Sequence, residues 1–564
     1  MLSGSEDQSI ALLQPKHVPL SSSEVRRVKW DLHSDVVVVG FGAAGAAASI
    51  EAASRGAEVI ALDRYAGGGA SAISGGVVYA GGGTSVQTAA GVRDSVEQMY
   101  AYLAAEVGDA VAPATLREFC EGSPQMIEWL QHHDVPFEPS LCPYKTSYPS
   151  NKHYLYYSGS EAAGDFRDVA TPAPRGHRAK GKGTSGKMLF SPLASSAVKS
   201  GVRVVGQTRA VALVVTDGRV VGVECRSLID APPRIRLLHR MLGSLSAKPG
   251  VYAPQFRYLL ERRLARIEKK YSTVLRIQAR RGVVLSAGGF VADRAMMAAH
   301  APKYTGGIAL GTAGDDGSGI ALATEIGAAT DKLGNISAWR FIVPPVPFLG
   351  SLLVDREGER MVDESRYGAA VGHAIVEQGG GRGWLVADAD LVRDAREQLP
   401  SQSMWFQRVQ NAGMMRTAKK GDTVEAAARA AGIDPAGLLA TVEKHNAAIA
   451  AGARDPFGKH DDFRRPIVSA PFTLFDVGIP PAGAVAKMMN PCPMITLGGL
   501  VVDESTGGVK DVSGTVIPGL FAAGRTAVGL CSNSYVSGLS LADCIFSGRR
   551  AGVHAASEER HPHN

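Results

Sequence analysis

Residues 532–552 read SNSYVSGLSLADCIFSGRRAG, with Tyr535 and Ser537 two positions apart beside Gly538 and ahead of a helix-like run. A helix cap alone does not need the tyrosine. A phenol packs against rings and carries a hydroxyl that donates or accepts a hydrogen bond. Its free pKa is about 10, so a neighbour has to make it basic at the right moment. Ser537 can relay a proton, and a glycine lets the backbone come close to a bound molecule. The chemistry open to this group is proton transfer. Plainer roles stay open: Tyr535 could only pack against a cofactor, and Ser537 could be the N-cap of the following helix.

The elements that must position these residues begin near the other end. Residues 35–63 read DVVVVGFGAAGAAASIEAASRGAEVIALD. The continuous apolar run Val36–Val39 predicts a strand buried on both faces. Gly40, Gly42 and Gly45 fit GxGxxG, Ala43–Ala53 predicts a helix, and Glu58–Leu62 a second strand ending at Asp63. This is a whole βαβ dinucleotide fingerprint: the first glycine makes the turn, the second admits the pyrophosphate, the third lets helix and strand pack. The pyrophosphate is expected on amides at the helix N-terminus and a ribose diol on Asp63. Two later stretches favour FAD over NAD. GGGASAISGGVVYAGGGT (67–84) has more glycine after the second strand than an NAD domain uses, and IPGLFAAGRT (517–526) ends an apolar strand in Ala-Ala-Gly. The expected flavin contacts are Gly40, Gly42, Ala43, Ala44, Gly45, Asp63 and Arg64; Gly69, Ala70, Ser71, Gly75 and Gly76; Ala287, Gly288, Gly289 and Asp316; and Gly524, Arg525, Ser540 and Leu541.

The chain has 564 residues, 45% of them apolar, with 66 glycines and a formal charge of +6. That is too long for one core. A strand over Gly282–Ala287 and the glycine turn and helix in 311–328 return to the nucleotide domain. Glycine thins from about 335, and Thr423–Ala431 and Pro435–Ala450 predict helices. The expected fold class is α/β: a Rossmann-like discontinuous FAD-binding domain (1–334 and 471–564) with an inserted α+β catalytic cap (335–470). Six cysteines form no CxxC or CxxCH, which removes zinc ribbons, thioredoxin-type pairs and covalent c-type haem; no metal is expected, and free thiols point to a reducing, cytoplasmic setting. Residues 1–20 lack a signal-peptide pattern, and no 18-residue apolar segment predicts a membrane span. Residues 226–281 carry a net +11. Within this excursion (about 228–272), Ile235, Leu237, Leu238, Met241, Leu242 and Leu245, then Phe256, Leu259, Leu260, Leu264 and Ile267, form apolar stripes between basic residues. A basic amphipathic hairpin fits an anionic membrane surface; a subunit contact or a solvated surface feature are the alternatives. No motif for nucleic acid accompanies the charge.

From about residue 30 onward the chain resembles the fumarate-reductase/succinate-dehydrogenase-like flavoproteins. GGVVYAGGGTSVQ (75–87) and SYVSGLSLADCIFSGRRAG are similar to the 3-ketosteroid dehydrogenases, nearest to the 3-oxosteroid 4-dehydrogenases that act on 5α substrates. That resemblance implies removal of a proton α to a ketone, hydride transfer from the β carbon to FAD N5, and an electron acceptor that the sequence does not identify. It matches Tyr535 and Ser537 to the family's catalytic pair, with Gly538 near the ketone and Tyr367 as a second active-site tyrosine. Tyr79 could line the cleft or sit in a core. In the run GERMVDESRYGAAVG (358–372) the position of the fumarate reductases' proton-donating arginine falls on Gly368, with Arg366 out of register. No histidine occurs in 64–80, so a covalent histidyl-flavin is not expected. The 1-dehydrogenases resemble Tyr-Pro-Gly-Ala-Gly, with glycine fourth after tyrosine; here Leu539 is fourth. A 1-dehydrogenase, a fumarate-type reductase and a flavin module that only passes electrons remain the competing readings.

Overall fold

The computed structural model describes residues 18–20, 29–248, 250, 253–304, 306–479 and 491–560. Residues 1–17, on which the signal-peptide expectation mostly rests, lie outside them. No helix among the described residues is long and apolar enough to cross a membrane.

The strand Leu32–Val39 lies between Thr273–Leu285 and Val59–Leu62, parallel to both. Val36 and Val38 enter one core and Val37 and Val39 another on the opposite face. Both faces are covered, so the run is continuous rather than alternating. Arg203–Val205 and Val516–Ala522 extend the parallel region. Thr273–Leu285 is longer than the strand expected at Gly282–Ala287, because its first half pairs antiparallel with Arg219–Ser227, which pairs with Thr208–Thr216. After Leu32–Val39, Gly40 turns the chain with φ +97°, and the helix Ala43–Ser54 follows. The last described helix, Leu539–Ser557, crosses it at two glycines. A Cβ on Gly548 would stand 2.5 Å from the Ala44 carbonyl oxygen, and one on Gly552 would collide with that of Ala48.

A second, antiparallel sheet runs Leu352–Val354, Trp384–Ala387, Phe472–Asp476, Lys419–Gly421, over its own apolar core. The two expected helices form at Val424–Ala431 and Pro435–Ala450. Thr423 and Asp434 cap them, accepting from the backbone N–H of Ala426 and Gly437 at 3.1 and 2.9 Å. Phe472–Asp476 lies past the boundary expected at 470/471, yet both its neighbours belong to this sheet, so that boundary cuts the sheet. Glycine density marks where helices stop; it does not say which sheet the next strand joins.

A small sheet, Val77–Tyr79, Gly176–Arg178 and Leu155–Tyr156, abuts the Tyr535 segment, with the Tyr79 N–H donating to the Gly538 carbonyl at 3.1 Å. The basic excursion is a pair of helices, Pro233–Ala247 and Pro254–Tyr271. It leaves and returns at one point, since Ser227 pairs directly with Thr273. Leu242, Leu260 and Leu264 join the two helices, while Leu237, Leu238, Met241, Leu245, Phe256 and Leu259 are exposed.

Candidate active site

A cavity of about 630 Å³ runs from the glycine fingerprint to the cap. Of the expected cofactor residues, Gly40, Gly42, Ala43, Ala44, Asp63, Arg64, Gly69, Ala70, Ser71, Gly75, Gly76, Ala287, Gly288, Gly524, Arg525, Ser540 and Leu541 line it; Gly45, Gly289 and Asp316 do not. Gly45 lies against the Gly40 carbonyl and Gly289 against the Thr496 hydroxyl, where any Cβ would collide. Asp316 instead pairs with Arg64 and Arg209, each at 3.0 Å.

The Asp63 carboxylate accepts from the backbone N–H of Tyr65 at 2.8 Å and of Phe41 at 3.2 Å. Burial raises its pKa, with these amides pulling the other way. A carboxylate has about four lone-pair sites, so acceptor capacity is left for a ribose diol. Arg64 is held differently from the expectation: Nε and Nη2 grip Glu268 of the hairpin, each at 3.0 Å. Arg525 pairs with Asp315, and its Nη1 is buried without a hydrogen-bond partner. An orphaned buried donor on a wall of this cavity suits a polar, electron-rich ligand.

At the cap end, Tyr535 stacks on Trp339 (ring centroids 5.2 Å apart, planes 15°) and meets Tyr367 at 6.0 Å; Phe341 lies edge-on to Tyr367 at 5.8 Å. All four rings, with Ser537 and Gly538, line the cavity. Gly538 has φ +93°, and a Cβ there would stand 2.7 Å from the Tyr79 nitrogen, so both backbone conformation and space require glycine. Gly538 is also the N-cap of Leu539–Ser557, which leaves Ser537 outside that role. The Ser537 hydroxyl hydrogen-bonds the Tyr156 hydroxyl at 3.1 Å, and its backbone is pinned by Ser158 through bonds of 3.0 and 3.2 Å. No hydrogen bond joins Ser537 to Tyr535 among the described residues, so the pair expected from their spacing is replaced by a Ser537–Tyr156 pair. Burial raises the pKa of Tyr535, Tyr367 and Tyr156 well above the ordinary phenol value; the Gly538 amide acts against the rise at Tyr535. All three are therefore neutral near pH 7.

Tyr79 is fully buried, stacks on Tyr102 at 6.3 Å and does not reach the cavity. Arg366 turns to Glu106 at 3.7 Å and does not line it either. The residues missed in the sequence are Tyr156, Trp339 and Phe341. Tyr156 sits in a two-residue strand, and no local signal marks it.

The glycine cradle, an Asp63 carboxylate with acceptor capacity to spare and the orphaned Arg525 donor fit a flavin dinucleotide, and Trp339, Phe341 and Tyr367 meet Tyr535 in an aromatic chamber at the cap end: the class is a two-part FAD-dependent flavoprotein. The FAD binding domain family matches residues 35–540. The chain is 37% identical to the 3-oxo-5-alpha-steroid 4-dehydrogenase of Comamonas testosteroni over 527 residues, covering 91% of this chain and 97% of that one. It also superposes on the crystal structure of a 3-ketosteroid-delta4-(5alpha)-dehydrogenase from Rhodococcus jostii RHA1 in complex with 4-androstene-3,17-dione, with TM-score 0.77, 32% identity and coverage of 95% and 99%. A 3-oxosteroid 1-dehydrogenase of Mycobacterium tuberculosis is 27% identical, covering 93% of this chain and 98% of that one. The chain belongs to the FAD binding domain family of flavoproteins, and its cofactor is FAD.

Proposed function

We propose that the protein is a flavin-dependent 3-oxosteroid 4-dehydrogenase acting on 5α substrates. The observation that carries this is the aromatic chamber of Trp339, Phe341, Tyr367 and Tyr535 at the cap end of the flavin cavity, in a chain 37% identical to an enzyme of that activity. When bound, FAD supplies the two-electron acceptor for the hydride from C5. Tyr535, as its phenolate, takes the proton from C4. Tyr367, and Ser537 with Tyr156 behind it, donate to the ketone oxygen as negative charge gathers there; one well-placed donor of this kind contributes roughly 3–4 kcal/mol. The dicarboxylate reading is disfavoured because Arg366 is turned away from the cavity. In this reading the nucleotide lies on the large sheet and the steroid under the cap, whose sheet includes Phe472–Asp476.

The test is anaerobic mixing of the yellow protein with 5α-androstane-3,17-dione and, separately, androst-4-ene-3,17-dione. Loss of the flavin's visible absorbance with the saturated ketone, and a 4-ene-3-one product by mass and NMR, is expected. Bleaching by the 4-ene alone would instead assign 1-dehydrogenation.

The partner reading is that the hairpin's outer face rests on an anionic membrane, where an apolar sterol is concentrated. Leu237, Met241 and Leu259 are 56, 54 and 59% exposed, amid exposed Arg234, Arg263, Arg266, Lys269 and Lys270. Co-flotation with anionic but not neutral vesicles, lost when 230–272 is removed, is the expected result. Equal partitioning of both proteins ends this reading. The electron acceptor stays outside it.

A further inference from the structure

The hairpin has an inner face as well. Helix Pro233–Ala247 turns Arg240, Gly243, Ser244 and Ala247 toward the flavin cavity. These positions form one i, i+3, i+4 stripe, which runs beside the exposed stripe of Leu237, Met241 and Leu245. Gly243 sits on Tyr65, where a Cβ would come within 2.9 Å of the ring. The His239 ring stacks on Tyr65 at 5.7 Å. From the second helix, Glu268 joins His239 at 3.1 Å to Arg64 at 3.0 Å. Arg64 and Tyr65 directly follow Asp63, the ribose acceptor, so all these contacts gather at the adenosine end of the site. Further bonds fix the hairpin, among them Lys248 Nζ to the Thr184 hydroxyl at 2.6 Å, Arg257 Nη1 to the Ala309 carbonyl at 3.0 Å and Gln207 Nε2 to the Arg236 carbonyl at 2.9 Å.

We propose that the hairpin is a latch over the adenosine end of FAD: Arg240 is its cationic contact to the anionic dinucleotide, and the Arg64–Glu268–His239 cluster is its clasp. A dinucleotide lying in this cavity has the first hairpin helix across its adenosine end, so it leaves only when the hairpin lifts. The hairpin can lift without disturbing the sheet, because Ser227 and Thr273 are paired beneath it. The Arg64–Glu268 ion pair of the clasp is largely removed from bulk water, where breaking one partner leaves the other uncompensated. FAD retention is therefore controlled by a segment that contributes nothing to the glycine fingerprint.

The test reads FAD release rather than turnover. Holoprotein is diluted and the rise of free-FAD fluorescence is followed for the native chain, Arg240→Glu, Glu268→Gln, and a chain in which a short glycine-rich turn replaces 230–272. The flavin spectrum before dilution shows that each variant has bound FAD, and melting of the apoprotein shows whether the fold is intact. Because Arg240 is exposed, Arg240→Glu should leave apoprotein melting unchanged while FAD leaves about tenfold faster, the change that ~1.4 kcal/mol produces. The hairpin-less chain should release it faster still. A hairpin-less chain that keeps FAD as long as the native one overturns the latch, as does a native release rate in Arg240→Glu.

Discussion

Tyr156→Phe is the sharpest test of the site, because Tyr156 does not line the cavity and acts only through Ser537. The substitution removes one buried hydroxyl–hydroxyl hydrogen bond of 3.1 Å and leaves the ring in place. A neutral hydrogen bond is worth about 1 kcal/mol net. If that energy holds the Ser537 hydroxyl toward the ketone as charge develops, losing it slows hydride transfer roughly fivefold. Ser537→Ala removes the donor itself and should cost roughly 10²–10³-fold. Once Ser537 is alanine, Tyr156 has nothing to orient, so the double variant should be no slower than Ser537→Ala alone. The assay is anaerobic single turnover with the saturated 5α ketone, read as loss of flavin absorbance over a range of substrate concentrations. The limiting rate should fall while the concentration dependence stays put, the signature of an interaction made in the transition state. Independent, multiplying effects of the two substitutions would refute the coupling, and a native rate in Tyr156→Phe would show the hydrogen bond to be idle.

Three further outcomes follow from the same geometry. Burial raises the Tyr535 pKa, so the limiting rate should climb about tenfold per pH unit through the neutral range, and Tyr535→Phe should abolish turnover with FAD still bound; a rate plateau below pH ~9 would remove Tyr535 as the base. Gly538→Ala combines φ +93° with a Cβ 2.7 Å from a backbone nitrogen, and should cost at least about 2 kcal/mol in denaturant unfolding; native stability would mean the loop relaxes freely. In the cap, burial alone would raise Glu364, but Arg360 at 2.7 Å and Lys459 at 2.9 Å hold it at about 2. Its folded pKa lies below the ordinary 4.5, so the stability it contributes is in place above pH 4.5 and is lost as pH falls through about 2; melting followed over that window should steepen in the native chain and flatten in Glu364→Gln.

The parts of this molecule legible in the sequence are those whose physics is local. Val36–Val39, the turn at Gly40 and the alanine helix state their roles within twenty residues. The caps at Thr423 and Asp434 do the same. The hairpin's periodicity was also readable, but its inner face was not: that Arg240 and Gly243 look into the cavity depends on where Tyr65 sits. Arg64 shows the limit most plainly. Next to Asp63 it reads as a cofactor contact and lines the cavity, yet its guanidinium is taken by Glu268, 204 positions away. Tyr156 and Ser537 meet across 381 positions, through a strand of two residues that carries no pattern. The boundary at 470 failed for the same reason, since strand pairing decides where Phe472–Asp476 belongs.

The crossing of Ala43–Ser54 by Leu539–Ser557 bears on how the protein is made. Gly548 and Gly552 lie against the carbonyls of Ala44 and Ala48, so the alanine face of the first helix is finished only by the other. Gly45 and Gly548 are roughly 500 residues apart in the chain, which a ribosome covers in about 25–100 s at ~5–20 residues per second. For that interval a nascent chain carries a complete nucleotide fingerprint with one helix face bare and the Gly524–Leu541 wall still unmade. Truncated chains ending before Gly524 should therefore be captured by holdase chaperones, and flavin should enter only after release from the ribosome.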